Sequence, residues 1–271
     1  MSVLPGRMSP IPVGRLRGGL LSAARSLPAT YDEWRQGVGF WSNCQSDVGL
    51  TVCVEPAEAP TKLVADDTDG SLVFEPFVTY AGRECSTWVD EDELRERAGF
   101  GFEAQLSAAF AQQLQADAAG VGDGQNLNAI ANDITPAPLA DITNTLSGLI
   151  SALQCDCKVS EITIHAPRRT IPFFVERRLV KWNIEASRYE MGDVVFSFDC
   201  YSETGPGEAG EAAADEAWLY ATGPIEVGIA PDDTELVGTT HQRNERSVLV
   251  ERLAILRFDP CCVTAAKASL A

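Results

Sequence analysis

Apolar residues recur every four positions from Leu94 through Ala98, Phe102, Leu106 and Phe110 to Leu114, a spacing that predicts one long helix over residues 90–118. Asp90, Glu91, Asp92 and Glu93 supply the negative charge a helix N-terminus favours, and Gly120 stands where a C-terminal cap belongs. Ala, Gln and Leu, all good helix formers, fill the middle. At 1.5 Å per residue such a helix is about 40 Å long, more than a small globule needs to cover one face of a sheet. A step of four residues overshoots a 3.6-residue turn by about 40°, so the apolar row winds around the helix and its parts must meet different neighbours. Gly99 and Gly101 each cost roughly 1 kcal/mol relative to Ala in a helix interior, which marks Phe100 as the place for a bend or break.

Before this strut, Val, Phe, Thr and Leu are interspersed with turn residues, and positions 37–41, 49–54, 62–65 and 71–80 read as strands. Asp66-Asp67-Thr68-Asp69-Gly70 lies between two of these runs, and Asp-Gly supplies the positive φ angles of a tight hairpin turn. A long hairpin buries little by itself, so it is expected to lie on another surface. Residues 1–30, with Pro5, Pro10, Pro12 and Pro28, have the chemistry of an extended arm, in which 16–26 could coil into a short basic helix.

After the strut, 120–125 is a glycine-rich loop and 126–133 a short strand or turn. Residues 136–153 read as a second helix, with Leu139, Ile142, Leu146, Leu149, Ile150 and Leu153 at its apolar positions. Strands follow at 161–165 and 194–201; 171–182 is ambiguous and carries a basic cluster with its flank, Arg168, Arg169, Arg177, Arg178 and Lys181. Residues 205–216 read as an exposed loop, and closing strands are predicted at 217–222, 225–229, 247–258 and 261–265. No repeat of solenoid period occurs. The order is arm, hairpin, strut and a mixed α+β body closed by C-terminal strands.

The 271 residues suit one elaborate domain or two ordinary ones, and 45% hydrophobic content is ample for a packed core. A formal charge of −18 opposes non-specific binding of nucleic acid by the whole surface. The charge is uneven: Arg7, Arg15, Arg17 and Arg25 precede Leu27 with no acidic residue among them. Such an arm suits a solvated tail, a neighbour's acidic surface or DNA. No apolar run approaches the roughly 18 residues that span a bilayer, and neither a membrane segment nor a signal peptide is expected. Eight cysteines in a chain this long read as reduced cytoplasmic thiols rather than a disulfide scaffold.

Candidate chemistry is sparse. His165 and His241 are the two histidines; one ends a strand before Pro167 and the other lies in a polar loop, and neither sits in a metalloprotease pattern. No Gly-x-Ser-x-Gly elbow and no glycine loop ending in Lys-Ser/Thr appears. Cys155 and Cys157 flank Asp156, and Cys261 and Cys262 are adjacent, so a four-thiolate zinc site is conceivable, although zinc pairs are usually two to four residues apart. Adjacent cysteines in a strand would point to opposite faces, one into the core. Glu245 beside Arg243 and Arg246, and Glu251 beside Arg252 and Arg257, read as salt-bridged pairs, weak singly but able to orient a repeated interface. No catalytic, cofactor-binding or metal site is assigned, and the pattern favours assembly over catalysis.

Tyr220-Ala221-Thr222-Gly223-Pro224-Ile225-Glu226-Val227, Asn244-Glu245-Arg246, Glu251-Arg252 and Phe258-Asp259-Pro260-Cys261-Cys262 resemble the end of major capsid proteins from tailed phages of actinobacteria. Pro76-Phe77-Val78-Thr79-Tyr80 to Cys85 is similar too, and the likeness spans roughly residues 34–263. It implies the α+β Hong Kong ninety-seven capsid fold, shared with encapsulins: N-terminal arm, extended β-hairpin loop, spine helix, peripheral domain and axial domain. The implied division is arm 1–33, hairpin 34–88, spine helix and start of the peripheral domain 89–124, mostly axial domain 125–216, and closing strands with the C-terminus 217–271. The implied function is self-assembly, as hexamers and pentamers, into an icosahedral phage head enclosing double-stranded DNA. Implied partners are portal, scaffold or decoration proteins of the virion and DNA touched non-specifically, with assembly in the host cytoplasm and no membrane. Lys62 is the one lysine in the hairpin and nothing identifies a partner for it, so covalent crosslinks are not expected. The arm is too short for a cleaved scaffold. The alternatives are an encapsulin-type compartment, another virion component such as a decoration or tail protein, and a thiol-rich metal-binding protein or enzyme using Cys155, Cys157 and His165.

Overall fold

A computed structural model describes residues 17–28, 30–35, 38–41, 71–74, 76–86, 90–115, 126–207, 209–231, 234–240 and 245–271. The glycine pair Gly18-Gly19 leads into one helical turn, α1 (Leu20–Ala23), then a two-residue strand β1 (Arg25–Ser26) and a second turn, α2 (Tyr31–Trp34). Thr30 and Glu33 close a capping box at the start of α2, satisfying two of its orphan main-chain donors. Short antiparallel strands β2 (Val38–Trp41) and β3 (Ser71–Phe74) pair Val38 with Phe74 and Trp41 with Ser71. The predicted turn at 66–70 and the strands at 49–54 and 62–65 lie outside the described residues, as do Gly120 and His241.

One strand was expected over 71–80, but the chain makes two. Pro76 has no N–H for a ladder, and after it β4 (Phe77–Ser86) joins a different sheet. The long helix follows as α3 (Glu91–Gln115), with Asp90 accepting from Asp92 N at 3.0 Å at its start. It runs unbroken through Gly99 and Gly101, so the helix does not break near Phe100; the open side of Gly101 is occupied by the Arg83 guanidinium, 3.3 Å from where a Cβ would stand.

Beyond α3 come a turn α4 (Leu127–Ile130), strand β5 (Asn132–Asp133) and α5 (Ile142–Ser151), which starts six residues later than predicted because Asp141 caps it, accepting from Asn144 N at 2.8 Å. Strand β6 (Ile162–Pro167), helix α6 (Ile171–Glu176), strands β7 (Lys181–Asn183), β8 (Arg188–Met191), β9 (Val194–Asp199), β10 (Glu216–Thr222), β11 (Glu226–Ile229), β12 (Thr234–Thr240), β13 (Glu245–Arg257) and β14 (Thr264–Ser269) complete the described chain. Cys261 and Cys262, expected inside the last strand, lie instead in the turn that Pro260 introduces before β14.

Two sheets organise the body. Thirteen-residue β13 is the axis of the first: β4 pairs antiparallel along Glu245–Ala254, while β12 pairs with Glu245–Glu251 and β11 with Ala254–Arg257. Strand β1 adds to β11 in parallel. The second sheet has seven strands in the order β5-β14-β10-β6-β9-β8-β7, mixed in direction, with β6 and β9 parallel. Strands β6 and β9 are buried at every position, as expected of strands covered on both faces.

The apolar row of α3 is buried throughout, at Leu94, Ala98, Phe102, Leu106, Phe110 and Leu114. Its winding meets a succession of neighbours, as expected: Phe102 lies under Arg252 of β13, Phe110 packs edge-on against Phe77 of β4 at 5.2 Å, and Ser107 touches α1. A second core lies between the seven-stranded sheet and helices α5 and α6, built on Leu146, Leu149, Phe174, Phe196 and Phe198.

Candidate functional site

Strands β6 and β9 are parallel neighbours, so His165 and Ser197 stand opposite each other in the seven-stranded sheet, and Tyr201 folds back from the end of β9 onto both. The bond directions follow from one donor. Thr222 gives its hydroxyl proton to Gly223 O at 2.8 Å, so it can only accept from His165 Nε2 at 3.0 Å. His165 Nδ1 is then an acceptor and takes the Tyr201 hydroxyl proton at 2.8 Å, which leaves Ser197 to donate to Tyr201 at 2.7 Å. The chain is fully satisfied and sealed. Burial holds the imidazole pKa down to about 3 and pushes the Tyr201 phenol well above its ordinary value. His165 is therefore neutral and out of reach of solvent, more deeply buried than its strand-end position suggested; it pins β6, β9 and β10 rather than serving a reacting molecule.

The end of β9 forms a second buried junction, invisible in the sequence. Asp199 Oδ2 accepts from Leu20 N at 2.9 Å and Ser107 Oγ at 2.6 Å, and Oδ1 accepts from Cys200 N at 2.9 Å. One carboxylate thus ties the N-terminal segment, the long helix and the seven-stranded sheet together. Gly19 permits it: a Cβ there would press into the Asp199 carboxylate and stand 2.6 Å from Ser107 Oγ. Phe198 N also donates to Gly18 O at 2.8 Å, and Arg25 forms an ion pair with Glu161. The described part of the N-terminal stretch, read as an arm reaching outward, is packed on its own chain, with Leu20, Leu27 and Trp34 in the core.

The basic cluster is largely committed to the chain's own main chain. Arg168 donates to Arg17 O and Phe198 O, and Arg177 to Ala271 O at 2.8 Å. Arg169 forks onto both Glu203 oxygens at 2.6 Å and also reaches Ala214 O and Glu216 O. Gln115, at the end of α3, accepts from Ser202 N at 2.6 Å and donates to Ser202 O at 3.1 Å. Residues 205–216, expected as an exposed loop, are fastened at both ends, and Gly205 and Pro206 are buried. Replacing Arg169 with Ala should cost about 1–2 kcal/mol, discounted for its partial exposure, and speed proteolytic cleavage within 203–216; Lys should rescue little, since a point charge cannot make the fork. Cleavage of the Ala variant no faster than wild type would refute this role.

The cysteines do not assemble as four ligands. Burial first, then the neighbouring Cys157 thiol, pushes the Cys262 thiol up to about 12. Cys155 is exposed beside Ser151, and Cys261 is held in a disulfide, so the expectation of reduced thiols fails there and holds for Cys85, Cys155, Cys157, Cys200 and Cys262. Among the described residues no three His, Cys, Asp or Glu side chains converge on one point. Glu245, expected beside arginine, has Glu84 of the neighbouring strand close by, and desolvation and that like-charged neighbour both raise its pKa; Arg246 reaches Glu91 at 4.0 Å, and Arg243 lies outside the described residues. Glu226 and Arg257 do pair, as do Glu103 and Arg252.

What remains open to partners is apolar surface. On the face of β4 away from α3, Val78 and Tyr80 are 54% and 71% exposed, beside a groove of about 170 Å³ lined by Phe77, Phe102 and Leu106. In the other sheet region, Val175 of α6 and Ile184, at the turn between β7 and β8, are 49% and 81% exposed. Among the described residues no helix is long and apolar enough to cross a membrane.

No protein-family model matches the sequence, and no curated protein does. Solved structures do. The chain is similar to the capsid of an empty GTA particle, with TM-score 0.58 and 10% identity over 98% of this chain and 96% of that one. It is similar to a chain of Mycobacterium phage Ogopogo, with TM-score 0.53 and 12% identity over 98% and 97%. The holo-SrpI encapsulin complex from Synechococcus elongatus PCC 7942 matches with TM-score 0.51 and 10% identity over 75% and 78%. With its long helix beneath one sheet and its second, mixed sheet beyond, the chain has the α+β Hong Kong ninety-seven fold of phage capsid proteins.

Proposed function

We propose that this chain is a major capsid protein that assembles into the shell of a phage head around double-stranded DNA. The observation that carries the reading is the likeness to the capsid chain of a GTA particle over nearly the full length of both chains. Apolar side chains exposed on both sheet regions, at Val78 and Tyr80 and at Val175 and Ile184, support it, because a closed lattice needs several distinct contacts on each subunit. The polar constellations described above are spent on internal bonds, which suits a structural, non-enzymatic subunit.

On this reading, residues 1–33 are the arm, its described part folded back on its own subunit, 34–88 the hairpin region, whose last strand β4 joins the subunit's own sheet, 89–124 the spine with the start of the peripheral domain, 125–216 mostly the axial domain and 217–271 the closing strands. The partners are further copies in hexamers and pentamers, then portal, scaffold or decoration proteins and non-specifically touched DNA, with assembly in the host cytoplasm. An encapsulin-type compartment is the second reading; the encapsulin likeness covers 75% of the chain, which ranks it behind the phage-type shell. Electron microscopy of the expressed protein should reveal closed shells, or capsomers able to form them. A subunit that stays monomeric across salt and protein concentration would overturn the proposal.

A further inference from the structure

Strand β4 is bonded along one edge only. Strand β13 covers one side of it over Phe77–Ser86, and among the described residues no strand lies on the other. The ladder shows which main-chain groups this leaves over. Leu253 O accepts from Ala230 N at 2.9 Å, so Leu253 turns its polar groups toward the β11 side and away from β4. In an antiparallel ladder Val78, the residue opposite Leu253, then points its own N–H and C=O away from β13, and Tyr80 and Gly82 repeat the arrangement. Phe77, Thr79 and Ala81 face β13 instead, and Thr79 Oγ1 adds a bond to Arg252 O at 3.0 Å.

Beneath this open edge runs the groove between β4 and α3, floored by Phe77, Phe102 and Leu106, with Gln113 in its helix wall. Gln113 Oε1 is buried without a hydrogen-bond partner. Sheet edges of solitary proteins are shielded by lysine, proline, inward charge or a bulge. The stretch Phe77–Gly82 has none of these: it is uncharged, its register with β13 is continuous, and Val78 and Tyr80 stand exposed.

We propose that the outer edge of β4 is a docking site for an extended segment of a second copy of this chain, which adds to the first sheet as one further strand. Val78, Tyr80 and Gly82 supply the main-chain hydrogen bonds. Side chains of a strand alternate, so half of those on the incoming segment lie beside Val78 and Tyr80 and the other half enter the groove over Phe102 and Leu106. Gln113 Oε1 stands on that side as an acceptor for a donor of the segment. A second copy is the partner because each subunit brings both halves of such a contact: besides the open edge it carries β2–β3, a two-stranded sheet with no third strand among the described residues. A ribbon of that kind is marginal until another strand or surface covers it. One subunit's edge filled by a different segment of the next is a heterologous contact, which closes into a ring when repeated about an axis. The inference rests on the proposed shell function and assigns one contact within it.

Amide exchange on the full-length protein, compared between assembled material and subunits dissociated by dilution, tests this at single residues. The Val78, Tyr80 and Gly82 amides are expected to exchange about a hundredfold or more slowly in assemblies, whereas those of Thr79 and Ala81, bonded to β13, are slow in both. Tyr80→Pro removes an N–H that β13 does not use. That variant should keep its fold and its slow Thr79 and Ala81 amides, yet need about tenfold or more higher concentration to assemble. Tyr80→Thr, which keeps the N–H, should assemble well ahead of it. Should Tyr80→Pro fail to fold, the wild-type exchange pattern still decides the matter. Shells in which Val78, Tyr80 and Gly82 exchange as fast as in free subunits, or a folded Tyr80→Pro protein that assembles at wild-type concentration, would overturn the docking edge and leave the proposed function standing. A wild-type subunit that never assembles would overturn both.

Discussion

Asp199→Ala is expected to destabilise the subunit by about 3–5 kcal/mol, because one fully buried carboxylate serves three donors from three parts of the chain. Leu20 N donates to this carboxylate, and a buried main-chain donor left unpaired carries its whole desolvation penalty. Asp199→Asn should lie between the two: its amide oxygen can replace Oδ2 for Leu20 and Ser107, but its NH2 then faces the Cys200 N–H, donor against donor. Gly19→Ala attacks the same junction from the other side, since its Cβ would occupy space the carboxylate fills. The Gly19→Ala and Asp199→Ala costs should be strongly non-additive, because truncating the carboxylate makes room for the methyl group. Denaturant unfolding of the three single variants, the Gly19→Ala/Asp199→Ala double variant and the wild type measures this; an Asp199→Ala cost within about 0.5 kcal/mol of zero, typical of a surface change, would refute the junction's role.

Acid should unfold the subunit through His165 before carboxylates dominate. The folded protein holds this imidazole neutral down to about pH 3, whereas the unfolded chain protonates it near 6.5. The unfolded state therefore binds the extra proton, and stability falls as pH drops below 6.5, by about 1.4 kcal/mol per pH unit at full effect, until the folded pKa is reached. Between 6.5 and roughly 4.5, above the range where ordinary carboxylates titrate, the slope should be visible in denaturant unfolding. Gln at this position keeps one donor and one acceptor without titrating, so His165→Gln should be less stable at neutral pH by about 1–2 kcal/mol yet flatter toward acid. Equal acid slopes in variant and wild type would mean that His165 is not the sensor.

The two junctions differ from the helix and strands in how far they could be foreseen. For the long helix the cue is local: six apolar residues at four-residue spacing, an acidic first turn and good helix formers sufficed, and every residue of that row is buried. Strands β9, β10 and β11 were legible for the same reason, each being an apolar run between turn residues. Strand β12, with the sequence Thr234-Glu235-Leu236-Val237-Gly238-Thr239-Thr240, has no such run, and it is a strand because β13 supplies its hydrogen bonds. The resemblance in the C-terminal third carried the fold, since no spacing rule leads from a helix and several strands to this topology.

By itself, then, the sequence determined the elements whose stability comes from their own periodicity and local charge, while the break at Pro76 and the turn after Pro260, although local in cause, were read as strand. Only the tertiary structure decided the partners of the buried polar groups. Asp199 and Leu20 are 179 positions apart, His165 and Thr222 57, and nothing local to either residue of such a pair encodes the other. Apolar burial is non-directional and leaves a repeating trace in the chain, whereas a buried hydrogen bond is directional, occurs once, and exists only after the core has brought its two ends together.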